Sequence, residues 1–297
     1  MGVYAVKTKE QYEESIRDLN FLVYMWGKRG KYRADNPVVS PSFNTLSMTY
    51  EMAHTPEYVD IATATSHITG EKISRFNHIC QCIEDLIKKD RLNKLFNGNN
   101  GSSFHRTISA NALNALSLTT DEIDDKYGTD YHMRFQRYLK YVHDNDLTCN
   151  GTLSDPREED YLPAERPSTD DLLMHVVEKR EKGIIVRGTK VGEIDALNSH
   201  EIIIVPTSSF DKNKKKYALS FALPSDTEGI TYLMGDESGD TRKLGGGMID
   251  GVRLLNQDSK MLCLFDNVFV PWERVFMCEE HDFSEQMAEM FKYSFCF

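Results

Sequence analysis

The sequence predicts an α+β protein in which a helical first half is followed by a β-rich second half. Three observations support this prediction: apolar residues recur at helical spacing through the first 148 positions, short β-branched runs divided by turn residues follow, and a helical pattern returns at Phe283. With 297 residues, 40% of them hydrophobic, the chain can bury a sizeable core. We therefore predict an N-terminal helical domain (1–148), a middle β domain (149–281) and the start of a C-terminal helix (282–297).

The helices of the first half are predicted from caps and apolar stripes. Thr8 and Gln11 form a capping box that begins the first helix. Its apolar stripe is predicted to consist of Tyr12, Ile16, Leu19, Val23 and Trp26. A second helix is predicted to begin at Thr55-Pro56, since proline is favoured at the first helical position. Further helices are predicted over Ile79–Ile87, Phe104–Thr120 and Tyr131–Val142.

The second half is predicted to begin with a loop and one short helix. Cys149–Pro167 is rich in Gly, Pro, Asp and Thr, which indicates a loop, and Ser168–Arg180 is predicted to be helical. The β-rich runs that follow are Ile184–Val186, Ile202–Val205, Tyr217–Leu223, Ile230–Leu233, Met261–Phe265 and Val268–Val270. Their spacing predicts an antiparallel barrel or sandwich.

The final helical pattern places Met287, Met290 and Phe291 at helical spacing and continues to Phe297 without a cap or a polar tail. A helix this apolar needs a packing partner. We therefore expect the chain to be incomplete at this end.

Composition excludes several classes of partner. The net charge of −11 argues against nucleic acid and against anionic membranes, since both require a basic face. No apolar run is long enough to span a membrane, and Met1–Ser15 lacks the apolar core of a signal peptide. The six cysteines are dispersed, which argues against a disulfide framework and predicts a cytoplasmic location.

Four local motifs could bind ligands, but each is better explained as structure. Cys80 and Cys82 are predicted to be buried core thiols, because helix positions two apart face different sides and cannot share a metal. Asp121–Asp130 lacks the ligand spacing of an EF-hand and is predicted to be a solvated helix–turn. Gly245–Gly247 lacks a phosphate-loop context and is predicted to be a β-turn, and Lys212–Lys216 a solubilising surface loop.

Six blocks carry a resemblance to a known family. They are Phe76–Leu86, Asn111–Leu116, Glu122–Thr129, Val177–Gly188, Asn198–Ile203 and Leu264–Cys278. In order and spacing they resemble the 4-hydroxybutyryl-CoA dehydratase/vinylacetyl-CoA isomerase branch of the 4-hydroxyphenylacetate 3-hydroxylase family, over essentially the whole chain. The resemblance implies an acyl-CoA-dehydrogenase-like fold: N-terminal helices, a middle antiparallel β-barrel domain, and a C-terminal helical bundle that this chain is expected to lack. It also implies FAD, a [4Fe–4S] cluster, a CoA-thioester substrate and a homo-oligomer.

The cluster ligands implied by the resemblance are expected to be absent. Two neighbouring cysteines of the branch, in a C-x-x-x-C motif, correspond to Ser103 and Thr107. A neutral hydroxyl is a poor replacement for a thiolate at an iron–sulfur cluster. The histidine ligand aligns with Phe295, and the last cysteine would follow Phe297. We therefore expect no [4Fe–4S] cluster and no other metal.

The segments that the resemblance assigns to FAD are half retained. The family's D-P-x-G-D-R-S loop corresponds to Asp155–Tyr161. This segment keeps the Asp-Pro, replaces the arginine and adds Glu158 and Glu159. Because these changes remove a positive charge and add negative ones, we expect FAD binding to be disfavoured. In the second segment Ile194 stands where the family offers a threonine to the flavin, and Lys260 aligns with a catalytic glutamate whose role it could not fill. The candidate FAD contacts are Leu153, Ser154, Asp155, Pro156, Gly192, Glu193, Ile194, Asp195 and Asn198.

Four functional hypotheses follow. In the first, the chain is a truncated, degenerate dehydratase relative that is inactive alone. In the second, it is half of a split FAD-dependent acyl-CoA lyase or isomerase, and a separate chain supplies the C-terminal bundle. In the third, it is a reduced-FAD aromatic monooxygenase of the 4-hydroxyphenylacetate 3-hydroxylase type, in which Arg106 is a substrate-site residue rather than a core anchor. In the fourth, it is a non-enzymatic acidic interaction module.

Overall fold

The computed structural model combines helices with two main β sheets. It describes residues 6–31, 34, 36, 39–100, 105–152, 155–156, 172–206, 208–234, 248–249, 252–253 and 260–293. The helices in these ranges are α1 (Lys9–Arg17), α2 (Ser40–His54), α3 (Val59–Ala62), α4 (Ile83–Asn100), α5 (His105–Tyr127), α6 (Tyr131–Asp144) and α7 (Ser284–Tyr293). The α+β prediction is confirmed at this level.

Most strands lie in the second half of the chain. They are β1 (Leu22–Met25), β2 (Lys28–Lys31), β3 (Thr63–Thr65), β4 (Lys72–Ser74), β5 (Cys149–Thr152), β6 (His175–Arg180), β7 (Gly183–Glu193), β8 (Glu201–Ile204), β9 (Leu219–Pro224), β10 (Ile230–Met234), β11 (Met248–Ile249), β12 (Val252–Arg253), β13 (Lys260–Pro271) and β14 (Val275–Cys278). Short 3-10 helices cover Arg75–Asn77, Ile194–Asn198, Lys212–Tyr217, Trp272–Arg274 and His281–Phe283.

Within the described ranges, the strands form two main open sheets and two two-stranded sheets, β3–β4 and β11–β12, rather than the predicted antiparallel barrel. The larger sheet has the order β2-β1-β10-β13-β7-β6 and the smaller has the order β14-β9-β8-β5. Both sheets contribute to one apolar core, and the Phe221 and Phe265 rings meet edge to face across it at 6.2 Å. Two pairings, β1 with β10 and β5 with β8, are parallel, so the predicted antiparallel arrangement is only partly correct.

The predicted first helix begins correctly but ends earlier than predicted. The Thr8–Gln11 capping box is present, and Tyr12 and Ile16 are buried. The chain then leaves the helix, and the predicted continuation to Trp26 is wrong, because Leu22–Met25 forms β1 and pairs with β10. A run of β-branched and aromatic residues favours a strand when a partner edge is available. The first 148 residues therefore supply strands to the main sheet as well as helices.

Two further helix predictions in the first half need correction. Thr55 does not begin a helix; it is the C-cap of α2, and the helix with a proline in its first turn begins at Ser40. α4 begins at Ile83, and the face of this helix that points to the core is the one that carries Leu92, which is 1% exposed. Of the predicted apolar stripe, Ile79 precedes the helix and is buried, whereas Ile83, Leu86 and Ile87 are exposed, Ile83 by 76%. By contrast, α5 and α6 cover their predicted ranges, apart from Phe104, which lies outside the described residues.

The middle of the chain contains strands where a loop and a helix were predicted. Cys149–Thr152 is β5, which pairs with β8, and His175–Arg180 is β6, which pairs with β7. β5 forms against the edge of β8, which is distant in sequence, whereas β6 forms a hairpin with the next strand, β7; in both cases strand pairing overrides a weak local preference. The predicted runs on either side of Asp266-Asn267 form the single strand β13, whose register shifts between Phe265 and Val268.

Helix α5 connects the helical layer to the sheets. It packs against α6, α7 and β5. Gly151 permits the close approach to β5, since a Cβ there would lie 3.0 Å from Ile108 Cγ2 and 3.3 Å from Ala112 Cβ. None of the helices within the described ranges combines the length and the apolarity needed to cross a bilayer. The division of the chain at 148/149 stays a prediction.

Candidate functional site

The two predicted flavin segments lie at the ends of two strands that contact each other from different sheets, β5 of the smaller sheet and β7 of the larger one. Asp155 and Pro156 follow β5, whereas Gly192 and Glu193 end β7. Lys190 joins the two segments, since its Nζ lies 2.6 Å from Asp155 Oδ1 and both side chains are largely buried. Leu153 and Ser154 lie outside the described residues.

Lys190 is a site residue that the sequence prediction missed. Its side chain is 2% exposed, and its Nζ also donates to the carbonyl oxygen of Val205 at 3.4 Å. A lysine is rarely fully buried unless it is paired. The available signal was a lysine between two β-branched residues, Thr189 and Val191.

Asp195 and Asn198 hold the 3-10 helix after β7 against the N-terminal helices. The Ser42 hydroxyl on α2 donates to Asp195 Oδ1, and Asn198 Nδ2 donates to Ser42 Oγ at 2.8 Å. The Tyr12 hydroxyl donates to the carbonyl oxygen of Asn198 at 2.8 Å. All four residues are buried. Through these contacts, Asp195 and Asn198 of the second predicted flavin segment connect the helical layer to the β sheets.

The strand register brings two other predicted positions together. Glu193 at the end of β7 pairs with Lys260 at the start of β13. Gly192, one residue earlier, has room beside it, because the nearest atom to an added Cβ is Cys263 Sγ at 3.8 Å. Gly192, Glu193 and Lys260 therefore share one end of the main sheet.

Thr107, which corresponds to one of the family's cluster cysteines, is part of a helix–helix contact. Its hydroxyl donates to Asn93 Oδ1 at 2.7 Å, which links α5 to α4, and the residue is 8% exposed. Ser103 lies outside the described residues. Across the described ranges, no group of three or more His, Cys, Asp or Glu side chains could hold a metal ion. The described residues therefore do not fit a [4Fe–4S] cluster.

Arg106, the second residue of α5, lies in a buried polar network. Its Nη1 donates to Thr49 Oγ1 at 3.3 Å, and its Nη2 lies 3.8 Å from Asp146 Oδ1. Its guanidinium also lies over the rings of Tyr50 and Phe76, at 4.7 and 5.2 Å from their centroids. Burial raises the pKa of Asp146, and the charge of Arg106 opposes that rise. These contacts favour the core-anchor role.

His200 and Ser15 lie within hydrogen-bond distance but do not form a catalytic pair. His200 Nδ1 accepts a hydrogen bond from the Thr148 amide at 3.0 Å, so the ring proton lies on Nε2 and points to Ser15 Oγ at 2.9 Å. The ring therefore cannot take a proton from Ser15. Burial, with smaller contributions from Lys7 and Arg106, lowers the pKa of His200 to about 3.

Of the predictions for the remaining motifs, one is confirmed and others are wrong. Cys80 is half-buried and Cys82 exposed, and both precede α4, so the prediction of buried helical thiols is wrong. The helix–turn at Asp121–Asp130 is confirmed, because Asp124 accepts from the amides that begin α6. Lys212–Lys216 forms a 3-10 helix rather than a loop, and Gly245–Gly247 lies outside the described residues.

Comparison with known proteins defines the class. A sequence profile described as "4-hydroxyphenylacetate 3-hydroxylase N terminal" matches residues 8–277. A 4-hydroxybutyryl-CoA dehydratase/vinylacetyl-CoA-Δ-isomerase from Clostridium aminobutyricum is 43% identical over 285 residues, which cover 96% of this chain and 58% of that protein. The oxygenase component of a 4-hydroxyphenylacetate 3-monooxygenase from Thermus thermophilus is 27% identical, over 91% of this chain and 54% of that protein.

Solved structures agree with the sequence matches. An oxygen-tolerant archaeal 4-hydroxybutyryl-CoA dehydratase from N. maritimus superposes with a TM-score of 0.88 and 35% identity, over 98% of this chain and 58% of that chain. A 4-hydroxyphenylacetate 3-monooxygenase oxygenase component, complexed with FAD and 4-hydroxyphenylacetate, has a TM-score of 0.75 at 22% identity, which supports the shared fold. The chain therefore belongs to the 4-hydroxyphenylacetate 3-hydroxylase family, and it spans about 58% of the length of its dehydratase relatives.

Proposed function

We propose that this chain provides the helical and β scaffold of a dehydratase-branch protein that has lost iron–sulfur chemistry, and that alone it does not dehydrate 4-hydroxybutyryl-CoA. The observation that carries the proposal is the contact of Thr107 with Asn93. A hydroxyl that donates to a carboxamide oxygen at 2.7 Å is used to join two helices. Interdependent catalytic groups, once removed, leave little residual activity.

FAD remains the cofactor to test, because the chain keeps part of the segments assigned to it. Asp155-Pro156 and Gly192–Ile194 would hold the flavin, which supplies electron-transfer chemistry when bound. The structural basis is the Lys190–Asp155 ion pair, which fixes the loop after β5 to β7. The loop lacks the family's arginine and carries Glu158 and Glu159, so we infer weaker FAD binding than in the dehydratase relatives.

Restoring the family loop tests the flavin part of this proposal. We expect Glu158→Gly/Asp160→Arg/Tyr161→Ser to bind FAD more tightly than the unchanged chain, because it removes one carboxylate near the pyrophosphate and replaces another with a cation. Fluorescence titration with FAD measures the difference, and Arg157→Ala, a change in the same loop at a position that the family leaves variable, is the control. Equal affinities of the unchanged and restored chains would contradict the assignment of this loop to FAD.

Activity of the chain is tested with 4-hydroxybutyryl-CoA and vinylacetyl-CoA under anaerobic conditions with added FAD. We expect no crotonyl-CoA from either substrate. Turnover by the purified chain would overturn the proposed loss of function. Turnover that appears only when the remaining portion of a dehydratase relative is supplied as a second polypeptide would support the split-enzyme alternative.

A monooxygenase function is the second candidate, and it is favoured by the match to 4-hydroxyphenylacetate 3-monooxygenase components. It requires reduced FAD, oxygen and a phenol. Arg106 is not available for such a substrate in this arrangement, because its side chain is fully buried among Thr49, Tyr50 and Asp146. Hydroxylation of 4-hydroxyphenylacetate with added reduced FAD would support this candidate, and its absence would remove it.

A further inference from the structure

The hairpin of β1 and β2 carries an exposed tryptophan at its tip. Trp26 and Gly27 connect the paired residues Met25 and Lys28, and both have a positive φ, of 50° and 74°. A two-residue hairpin turn with this backbone favours Asn-Gly, because the left-handed region is costly for a bulky side chain. Burial does not offset this cost, since Trp26 is 46% exposed. Backbone strain of this kind is commonly retained at positions that bind a ligand or a partner.

Two cations follow this turn on β2. Lys28 and Arg29 are exposed, on a chain whose net charge is −11. Within the described ranges, no carboxylate pairs with either side chain. Lys28 lies opposite Met25 and Arg29 lies opposite Tyr24, so the two cations belong to opposite faces of the sheet. The strand is therefore positively charged on both faces.

β2 is also an edge strand. The main sheet has the order β2-β1-β10-β13-β7-β6, so β1 is the only neighbour of β2 among the described strands. Alternate residues of an edge strand direct their amide and carbonyl groups away from the sheet. A Cβ added at Gly27 or at Gly30 would have no atom within 4 Å, so the space around the hairpin is open. An extended segment could therefore add to the sheet beside β2.

The charge of this edge determines which segment it can bind. A second copy paired through β2 would bring like charges together, and lysine on an edge strand opposes such pairing. Nucleic acid has no ladder of amides and carbonyls to offer a strand, and the net charge of −11 repels it. An acidic strand meets both requirements, because its carboxylates can pair with Lys28 and Arg29 while its main chain bonds to β2.

We propose that the β1–β2 hairpin is a docking edge for an acidic, extended segment of a partner protein, which adds as a further strand beside β2 and covers the Trp26 ring. The main-chain hydrogen bonds position the segment, and the two cations select its carboxylates. The ring supplies apolar contact. Because β2 has only four residues, the backbone contact is short and the affinity depends strongly on the side chains.

Binding is tested by fluorescence anisotropy with a labelled acidic peptide of alternating glutamate and valine, Glu-Val-Glu-Val-Glu-Val-Glu. Three further probes each change one feature. A lysine–valine peptide reverses the charge, the acidic peptide with its amides N-methylated loses its main-chain donors, and a short oligothymidylate is an anion without a peptide backbone. We expect the unmodified acidic peptide to bind and the three other probes to bind at least about tenfold more weakly.

The fluorescence of Trp26 reports whether binding takes place at this hairpin. The chain has two tryptophans, so Trp272→Phe leaves Trp26 as the only one. We expect the emission of this variant to shift to shorter wavelength when the acidic peptide binds, because the exposed ring leaves water. Binding that leaves the Trp26 emission unchanged would contradict docking at this edge.

Substitutions test the charges and the ring separately. Lys28→Glu/Arg29→Glu should weaken binding about tenfold or more, because two attractions become repulsions. Lys212→Glu/Lys214→Glu, which changes the net charge equally at exposed positions of another segment, is the matched control and should bind like the unchanged chain. Trp26→Asn should weaken binding about threefold or more without lowering thermal stability, since asparagine suits the turn better.

Three results would overturn the proposal. One is equal binding of the acidic peptide and any of the other three probes, and another is unchanged binding by Lys28→Glu/Arg29→Glu. The third is a clear loss of thermal stability in Trp26→Asn, because it would show that the ring serves the fold rather than a partner. Circular dichroism separates a lost binding contact from lost structure, and an unfolded charge variant is replaced by Arg29→Gln, which should also bind more weakly.

Discussion

At the scale of single residues, buried charge determines how the candidate flavin segments are held. Lys190 and Asp155 approach to 2.6 Å with little solvent access, and Glu201 on β8 forms a similar pair at 2.6 Å with Arg274, which lies just before β14. Removing one partner of a buried pair leaves the other charge without compensation, which costs more than the intact pair contributes.

Lys190→Met should lower the free energy of unfolding by about 2 to 4 kcal/mol, because it leaves the Asp155 carboxylate without its ammonium partner. Urea denaturation measures the loss. Lys179→Met is the control, since Lys179 pairs with Glu279 at the surface with 44% of its side chain exposed, and we expect about 1 kcal/mol or less there. If Lys190→Met/Asp155→Asn were no more stable than Lys190→Met, the ion pair would not be the cause.

His200 should make the chain sensitive to acid. Its pKa is about 3 in the folded state and near 6.5 when unfolded, so the unfolded state binds one more proton between those values. Stability is therefore lost as pH falls below about 6.5, by up to about 1.4 kcal/mol per pH unit from this group. Urea denaturation between pH 6.5 and 4 should show a shallower loss for His200→Gln than for the unchanged chain. His54→Gln, a change at an exposed histidine, should keep the full slope.

At the scale of secondary-structure elements, what could be predicted depended on how local the interactions are. The capping box at Thr8 and the helices α5 and α6 involve contacts within a few residues, and the sequence predicted them. β6 was predicted incorrectly although it forms a local hairpin with β7, so local contacts alone do not guarantee a correct prediction. β5 forms because β8 supplies an edge distant in sequence, and it was also predicted incorrectly. The same limit applies to the site, because the Lys190–Asp155 contact joins two strand ends that no local pattern relates.

The strand β7 depends on a glycine where it crosses the segment before β6. Gly188 has a φ of +143°, and a Cβ there would lie 2.5 Å from Met174 Cα and 2.6 Å from the Leu173 carbonyl oxygen. Gly188→Ala should therefore destabilise the chain by about 2 to 3 kcal/mol. Gly192→Ala on the same strand is the matched control, and we expect a much smaller effect because its Cβ would meet only Cys263 Sγ at 3.8 Å. Thermal unfolding compares the two variants, and equal losses would contradict this account of β7.

At the scale of the whole molecule, the family resemblance predicted more than the periodicity did. The family is confirmed by the profile match over residues 8–277 and by the dehydratase structure at a TM-score of 0.88. The sheet order was not predictable from local patterns, because β1 pairs with β10 about 200 residues later, a distance that no window of hydrophobic spacing spans. A fold can persist while its chemistry changes, and the proposed loss of iron–sulfur chemistry is a change of that kind.

The central claim is that a shared fold persists here without the iron–sulfur chemistry of the dehydratase branch. The most direct measurement is iron and acid-labile sulfide per chain after anaerobic purification and reconstitution, alongside the Ser103→Cys/Thr107→Cys variant. We predict neither element above background in the unchanged chain, because a hydroxyl bonded to Asn93 offers no thiolate to iron. Four irons and four sulfides per unchanged chain, with the matching absorption, would contradict the account.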